Sequence, residues 1–172
     1  MMSRLNYLKA KLVDAKEAQL LINSWKFKGD KVVFTNGCFD ILHQGHVVYL
    51  AKAAEMGNKF IVALNSDQSV KKLNKSPERP INSEDSRAIV LAGLGFIDLV
   101  LIFDAETPKE IIEFLNPDVL VKGADYDANE TDPNNKKYIV GSDFVRKNNG
   151  SVQVVELEQG FSTTSIIEKM KK

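Results

Sequence analysis

Residues 31–46 read KVVFTNGCFDILHQGH, and this stretch decides the fold. The β-branched and aromatic run at its start has the composition of a buried strand. Asn36-Gly37 breaks that run, after which Val47, Leu50, Ala51 and Ala54 return at helical spacing and Gly57-Asn58 supplies a C-cap signal. Strand, glycine-bearing loop and helix together form the first half of a parallel βαβ unit.

The same alternation continues outward. Residues 59–64 (KFIVAL) read as a second strand, with Asn65-Ser66-Asp67 capping the segment after it. Residues 98–103 (DLVLIF), 118–121 (DVLV) and 151–157 (SVQVVEL) read as three more strands. Between them, helices are expected at 83–94, at 107–115 behind Thr107-Pro108, and at 142–147, with a last short one at 162–170. Strands alternating with helices at this spacing predict an α/β domain, a parallel sheet of five strands covered on both faces. Upstream, apolar residues at Leu5, Leu8, Leu12, Leu20, Leu21 and Trp25 predict one N-terminal amphipathic helix, a flank over 1–28 to a domain over 29–172. Residues 71–82 (KKLNKSPERPIN), basic and twice interrupted by proline, read as a loop. Residues 127–137 (DANETDPNNKK) have almost nothing to bury and read as a solvated loop, or as a cover over a site.

Composition sets limits on function. Twenty-three Lys and Arg balance 23 Asp and Glu in 172 residues, so no overall basic field draws in nucleic acid, and an anionic partner must be held locally. One cysteine permits neither an internal disulfide nor a cysteine zinc cage. The charged N-terminus lacks the apolar core of a secretory signal, and no run approaches the roughly 20 apolar residues of a membrane span, so a cytoplasmic protein is expected.

In an open parallel sheet, ligands sit beyond the carboxyl ends of the strands. The unusual residues fall at such places: Thr35-Asn36-Gly37, Asn65 to Asp67, Lys122 to Asp125, and Gly160 to Thr164. His43 and His46 are the only histidines; three apart at a helix mouth with Gly45 between them, they can share one face and donate to a phosphate, and a protonated fraction would add charge. A zinc site from Cys38, His43 and His46 competes with this, although Cys38 is expected to be buried beside the strand. Neither a Walker A loop nor a G-x-G-x-x-G fingerprint is present.

The stretch from Gly37 to His46 matches G-x-F-D-x-x-H-x-G-H, the signature of the cytidylyltransferase-like nucleotidyltransferases, at Gly37, Phe39, Asp40, His43, Gly45 and His46. With ALNSD at 63–67, Arg79-Pro80, LVKGADY at 120–126 and GFSTTSII at 160–167, the chain most resembles the bacterial heptose 1-phosphate adenylyltransferases, departing only mildly at Ala124. The resemblance implies a Rossmann-like three-layer sandwich and transfer of AMP from ATP to a sugar 1-phosphate. It implies His43, His46 and Lys122 as catalytic groups. The nucleotide would meet Thr35, Asn36, Gly37, Cys38, Phe39, Gly45, Gly123, Asp125, Ser162, Thr163 and Thr164. The sugar phosphate would meet Asn65, Asp67, Lys75, Arg79 and Arg87, the two arginines through bidentate contacts. Mg2+ is expected with ATP but no residue is assigned to it, and a homodimer and a separate upstream heptose kinase are expected as partners. The alternatives are a glycerol-3-phosphate cytidylyltransferase and a nucleotide-binding module without activity.

Overall fold

In the computed structural model, which describes residues 2–73, 78–156, 158, 160, 163, 166 and 167, five strands form one sheet. They are β1 (Val32–Gly37), β2 (Lys59–Asn65), β3 (Leu99–Phe103), β4 (Val119–Gly123) and β5 (Ser151–Val155). All neighbours run parallel, in the order β3-β2-β1-β4-β5. This order places a topological switch point between β1 and β4, where the crossovers leave in opposite directions.

Alternation along the strands builds two cores. Val33, Phe60, Val62, Leu64, Val119 and Val121 point to one face, where α3 (Gln44–Ala54) and α5 (Glu84–Ala92) add Leu50, Ala53, Ala88 and Leu91. Val32, Phe34, Ile61, Ala63, Leu101 and Leu120 point to the other, against α2 (Ala15–Phe27), α6 (Lys109–Leu115) and α7 (Ser142–Lys147), which supply Ile22, Ile112 and Val145. The expected five-stranded Rossmann-like sandwich is therefore the observed one.

Two expectations are corrected. The N-terminal segment is not one helix: α1 (Arg4–Lys9) ends, the chain forms a bridge from Leu12 to Val100, and α2 begins afresh. Asp14 accounts for the restart, because its carboxylate accepts the Glu17 N–H at 2.8 Å while the Glu17 side chain accepts from the Asp14 N–H, a complete capping box. The bridge also covers part of the exposed edge of β3, and it carries the chain from the α5 side of the sheet to the α2 side. The second correction concerns the basic loop. Its first two residues, Lys71 and Lys72, end a helix, α4 (Asp67–Lys72), capped by Ser66 and anchored by the buried Val70. The helix expected at 162–170 and Leu157 fall largely outside the described residues.

Residues 127–137 form a tied loop. Its ends meet through Asp127 N–H to Lys137 O at 2.9 Å, and the carboxylates of Asp127, Glu130 and Asp132 accept the N–H groups of residues just ahead of them. Among the described residues, no helix is long and apolar enough to cross a membrane.

Candidate active site

The ladder between β1 and β4 has only two rungs, Val33↔Val119 and Phe34↔Leu120. By contrast, β1 and β2 stay paired from Val32↔Lys59 to Gly37↔Leu64. Past the second rung, the Val121 carbonyl is met by side chains: the Thr35 hydroxyl donates to it at 3.0 Å, and the Tyr49 hydroxyl lies 3.2 Å away. The strands thus part at their carboxyl ends, and a cleft of about 620 Å³ opens there, as expected at a switch point.

The loop after β1 shapes one wall. Phe39 sits at φ +42°, a left-handed conformation that costs a non-glycine residue roughly 1 kcal/mol or more, and its ring meets His46 edge-on at 5.3 Å. A Cβ at Gly37 would lie 3.0 Å from the Phe39 ring, so the ring would have to give way to admit one. Asp40 is buried, and its carboxylate accepts from Arg79 Nε at 3.0 Å and from the N–H groups of Ile81 and Asn82 at 2.8 and 3.0 Å. That grip fixes the 79–82 segment against the histidine loop and leaves the Arg79 side chain lining the cleft.

His43 is the N-cap of α3; its Nδ1 accepts the His46 N–H at 3.3 Å. The two imidazoles stack with centroids 3.8 Å apart and planes 19° apart. Burial, reinforced by His43, pushes the His46 pKa down to about 4, and burial lowers that of His43 as well. Near neutral pH both rings are therefore uncharged N–H donors, and the protonated fraction considered from the sequence is small. Positive charge in the cleft comes instead from Arg79 and Lys122. Lys122 Nζ is held by the side-chain oxygen of Asn36 at 2.6 Å and lies 5.5 Å from the centre of the Tyr126 ring.

Most of the residues singled out from the sequence meet at this cleft. Asn36, Gly37, Cys38, Phe39, His43, Gly45, His46, Asn65, Arg79, Lys122, Gly123, Asp125 and Thr163 all line it. Lys75, Ser162 and Thr164 lie outside the described residues. Thr35 is fully buried, and its hydroxyl is used in the β1–β4 gap rather than on the cleft wall.

Arg87 and Asp67 are not brought to the cleft wall. The Arg87 guanidinium is 2 % exposed and directs its donors inside the protein: to the carbonyls of Asn82 at 3.0 Å, Cys38 at 2.7 Å and Asn65 at 2.8 Å, and to the Asp67 carboxylate at 2.7 Å. It ties together three loops at the carboxyl end of the sheet and has no fork left for a phosphate. In the sequence Arg87 is a basic residue near a basic loop; the buried periodicity of α5, which places it beside Ala88 and Leu91, is the signal against a ligand role.

Sequence reasoning misses Tyr49, Leu73, Glu106, Thr107, Pro108, Tyr126, Val140 and Glu158, which also line the cleft. Thr107-Pro108 reads only as a helix start, although it follows a strand end and so stands where ligands gather. As for zinc, Cys38 is buried with its Sγ turned to Asn65 Oδ1 at 4.0 Å, and no group of three or more His, Cys, Asp or Glu among the described residues is placed to hold a metal ion.

Residues 34–169 match the family described as cytidylyltransferase-like. Among curated proteins, the chain is 52 % identical over 156 residues to bifunctional protein HldE of Campylobacter jejuni subsp. doylei, a match covering 91 % of this chain and 31 % of that protein. It is 55 % identical over 144 residues to the protein of the same name from a Marinomonas species, covering 84 % of this chain and 28 % of that one. The chain thus spans about a third of the length of the curated relatives it matches. Among solved structures, it resembles a lipopolysaccharide core biosynthesis protein from Thermoplasma volcanium, with a TM-score of 0.57 and 23 % identity over 76 % of this chain and 98 % of that one. It also resembles a pantoate-beta-alanine ligase from Francisella tularensis, with a TM-score of 0.56 and 15 % identity over 93 % of this chain and 76 % of that one. At these identities, both structures speak for the fold alone.

Proposed function

Because the chain belongs to the cytidylyltransferase-like family, we propose that it transfers AMP from ATP to a heptose 1-phosphate, giving ADP-heptose and pyrophosphate. The observation that carries this reading is the pair of stacked, neutral histidines at the mouth of α3, facing a cleft that Lys122 and Arg79 also line. No nucleophilic side chain with a partnering base is required for such chemistry. Phosphoryl and nucleotidyl transfer ask the protein for position and for donors aimed at developing charge. Identity of about half to HldE proteins over most of the chain supports the choice of reaction within the family.

In the proposed step, an oxygen of the sugar phosphate attacks the α-phosphorus of ATP in line. The new P–O bond forms as the bond to the β-phosphate oxygen breaks, and pyrophosphate leaves with that electron pair. His43 and His46 donate N–H groups to the α-phosphoryl oxygens as they gain charge. Asn36 holds the Lys122 ammonium toward the departing phosphates, and Arg79 receives the sugar phosphate. Gly37 and Gly45 let the nucleotide approach the backbone. Thr163, with Ser162 and Thr164 beside it in sequence, is assigned to phosphate at the last helical segment. Mg2+, expected with ATP, would neutralise phosphate charge, and no residue is assigned to hold it. The catalytic unit is residues 29–172 with 1–28 as a helical flank, acting in the cytoplasm as a homodimer. A heptose kinase supplies its substrate.

The test is pyrophosphate release with ATP, CTP or GTP against heptose 1-phosphate or glycerol 3-phosphate. Turnover with ATP and heptose 1-phosphate is expected. A preference for CTP with glycerol 3-phosphate would replace this assignment with a cytidylyltransferase, and nucleotide binding without turnover would leave a binding module.

A further inference from the structure

The ring of His43 serves the helix and the cleft at once. Its Nδ1 accepts the His46 N–H and so satisfies one of the unpaired donors at the start of α3. A ring nitrogen that accepts carries no proton, which places the single proton of the neutral ring on Nε2. Adding a second proton means protonating Nδ1, which removes the cap and turns an N–H toward the positive end of the helix dipole.

We propose that the cap of α3 locks His43 as its neutral Nε2–H tautomer, so that the nitrogen it offers as a donor is Nε2 and a second proton can enter only by displacing the cap. The two histidines are thereby unequal. His43 Nδ1 caps the helix, whereas His46 Nδ1 is buried without a hydrogen-bond partner, where burial and the charge His43 would carry both oppose a proton. The charged groups nearby do not favour an imidazolium either. Arg79 opposes charge on His46, and Asp40, the acidic group of the same loop, is taken up by Arg79 and the N–H groups of Ile81 and Asn82. The other charged groups on the cleft wall are Lys122 at the end of β4, Asp125 just after it, Glu106 after β3, and Glu158. The role assigned to Nε2–H in turnover rests on the nucleotidyl transfer proposed above; the tautomer and the cap do not.

Three measurements decide it. Nitrogen-15 NMR of the imidazoles in the ligand-free full chain at neutral pH should show His43 with Nδ1 bare and Nε2 protonated. An Nδ1–H tautomer or an imidazolium there overturns the proposal. His43→Asn keeps a side-chain oxygen able to cap, whereas His43→Ala does not. The urea midpoint should therefore fall for His43→Ala and stay near that of the parent for His43→Asn; equal midpoints overturn the cap. Both variants should lose at least ~10-fold in pyrophosphate release, the scale of a lost transition-state donor. Full activity of His43→Asn overturns the donor role. If the parent itself turns over no nucleotide, the functional reading fails while the NMR and unfolding results still decide the tautomer lock.

Discussion

The hydroxyls of Thr35 and Tyr49 lie 2.7 Å apart, in the gap where β1 and β4 cease to pair. Both are buried, and both reach the Val121 carbonyl, one residue past the last β1–β4 rung. A buried carbonyl without a partner costs about 1–3 kcal/mol, so the two side chains stand in for the missing rung.

Tyr49→Phe and Thr35→Val should each lower unfolding free energy in urea by about 1–2 kcal/mol. Because the hydroxyls share one acceptor and contact each other, their losses should couple: the double variant should differ from the sum by at least ~0.5 kcal/mol. Strict additivity would show that they act independently.

Arg87 provides the sharpest check on the placement of a basic residue inside the fold. Arg87→Lys keeps the charge beside Asp67, but a single ammonium cannot span the carbonyls of Cys38, Asn65 and Asn82. A loss of about 2–4 kcal/mol in stability is expected, in line with broken buried charge-assisted networks. The folded fraction should keep a KM for the sugar phosphate near that of the parent. A large rise in KM with unchanged stability would restore the phosphate-binding role.

The pH dependence of stability has a definite sign. His46 has its folded pKa pushed down to about 4, whereas the unfolded chain protonates near the ordinary value of 6.5. Its contribution is therefore complete above about 6.5 and is lost as pH falls from there toward 4, because the unfolded state binds the proton first. The lowered pKa of His43 adds in the same direction. Stability should drop by at most about 3 kcal/mol across this window on account of His46. His46→Gln should flatten that part of the profile, as read from urea midpoints at about pH 7 and about pH 4.5, and should reduce turnover by at least ~100-fold.

Two glycines make a contrasting pair. A Cβ at Gly57 would lie 2.5 Å from the Lys31 carbonyl oxygen and 2.6 Å from Val33 Cγ2, so Gly57→Ala should cost about 1–3 kcal/mol. Nothing lies within 4 Å of a Cβ at Gly95, and Gly95→Ala should leave the thermal midpoint unchanged or slightly raised. Equal effects would argue against the close α3–β2 turn.

The sheet is readable because each strand carries an uninterrupted apolar run between turn signals, as 59–64 and 98–103 do. The cleft is readable for a similar reason, since Asn36-Gly37 and Lys122-Gly123 stop their strands with residues that have no place in a core. Less legible are events set by tertiary context. Asp14 looks like one more charge on a helix face, and its pairing with Glu17 as a capping box stands out only once Leu12 is seen bridging the edge of β3 just before it. Arg87 looks like a ligand because spacing cannot reveal that three carbonyls from separate loops converge on it. Tyr49 reads as a helix-face residue, with nothing local to show its hydroxyl reaching across the gap to β4.

The two-rung seam between β1 and β4 is held differently at its two ends. At its amino end it is pinned by Asp118, whose carboxylate accepts the Val32 N–H at 2.8 Å and pairs with Lys26 at 2.9 Å. At the other end, side chains and no ladder bonds cross it. The seam is thus held by ladder bonds and Asp118 at its amino end and by side chains alone at its lip. The separation of the Asn36 and Lys122 walls is set by side chains, Lys122 Nζ on Asn36 Oδ1 among them, and not by ladder bonds.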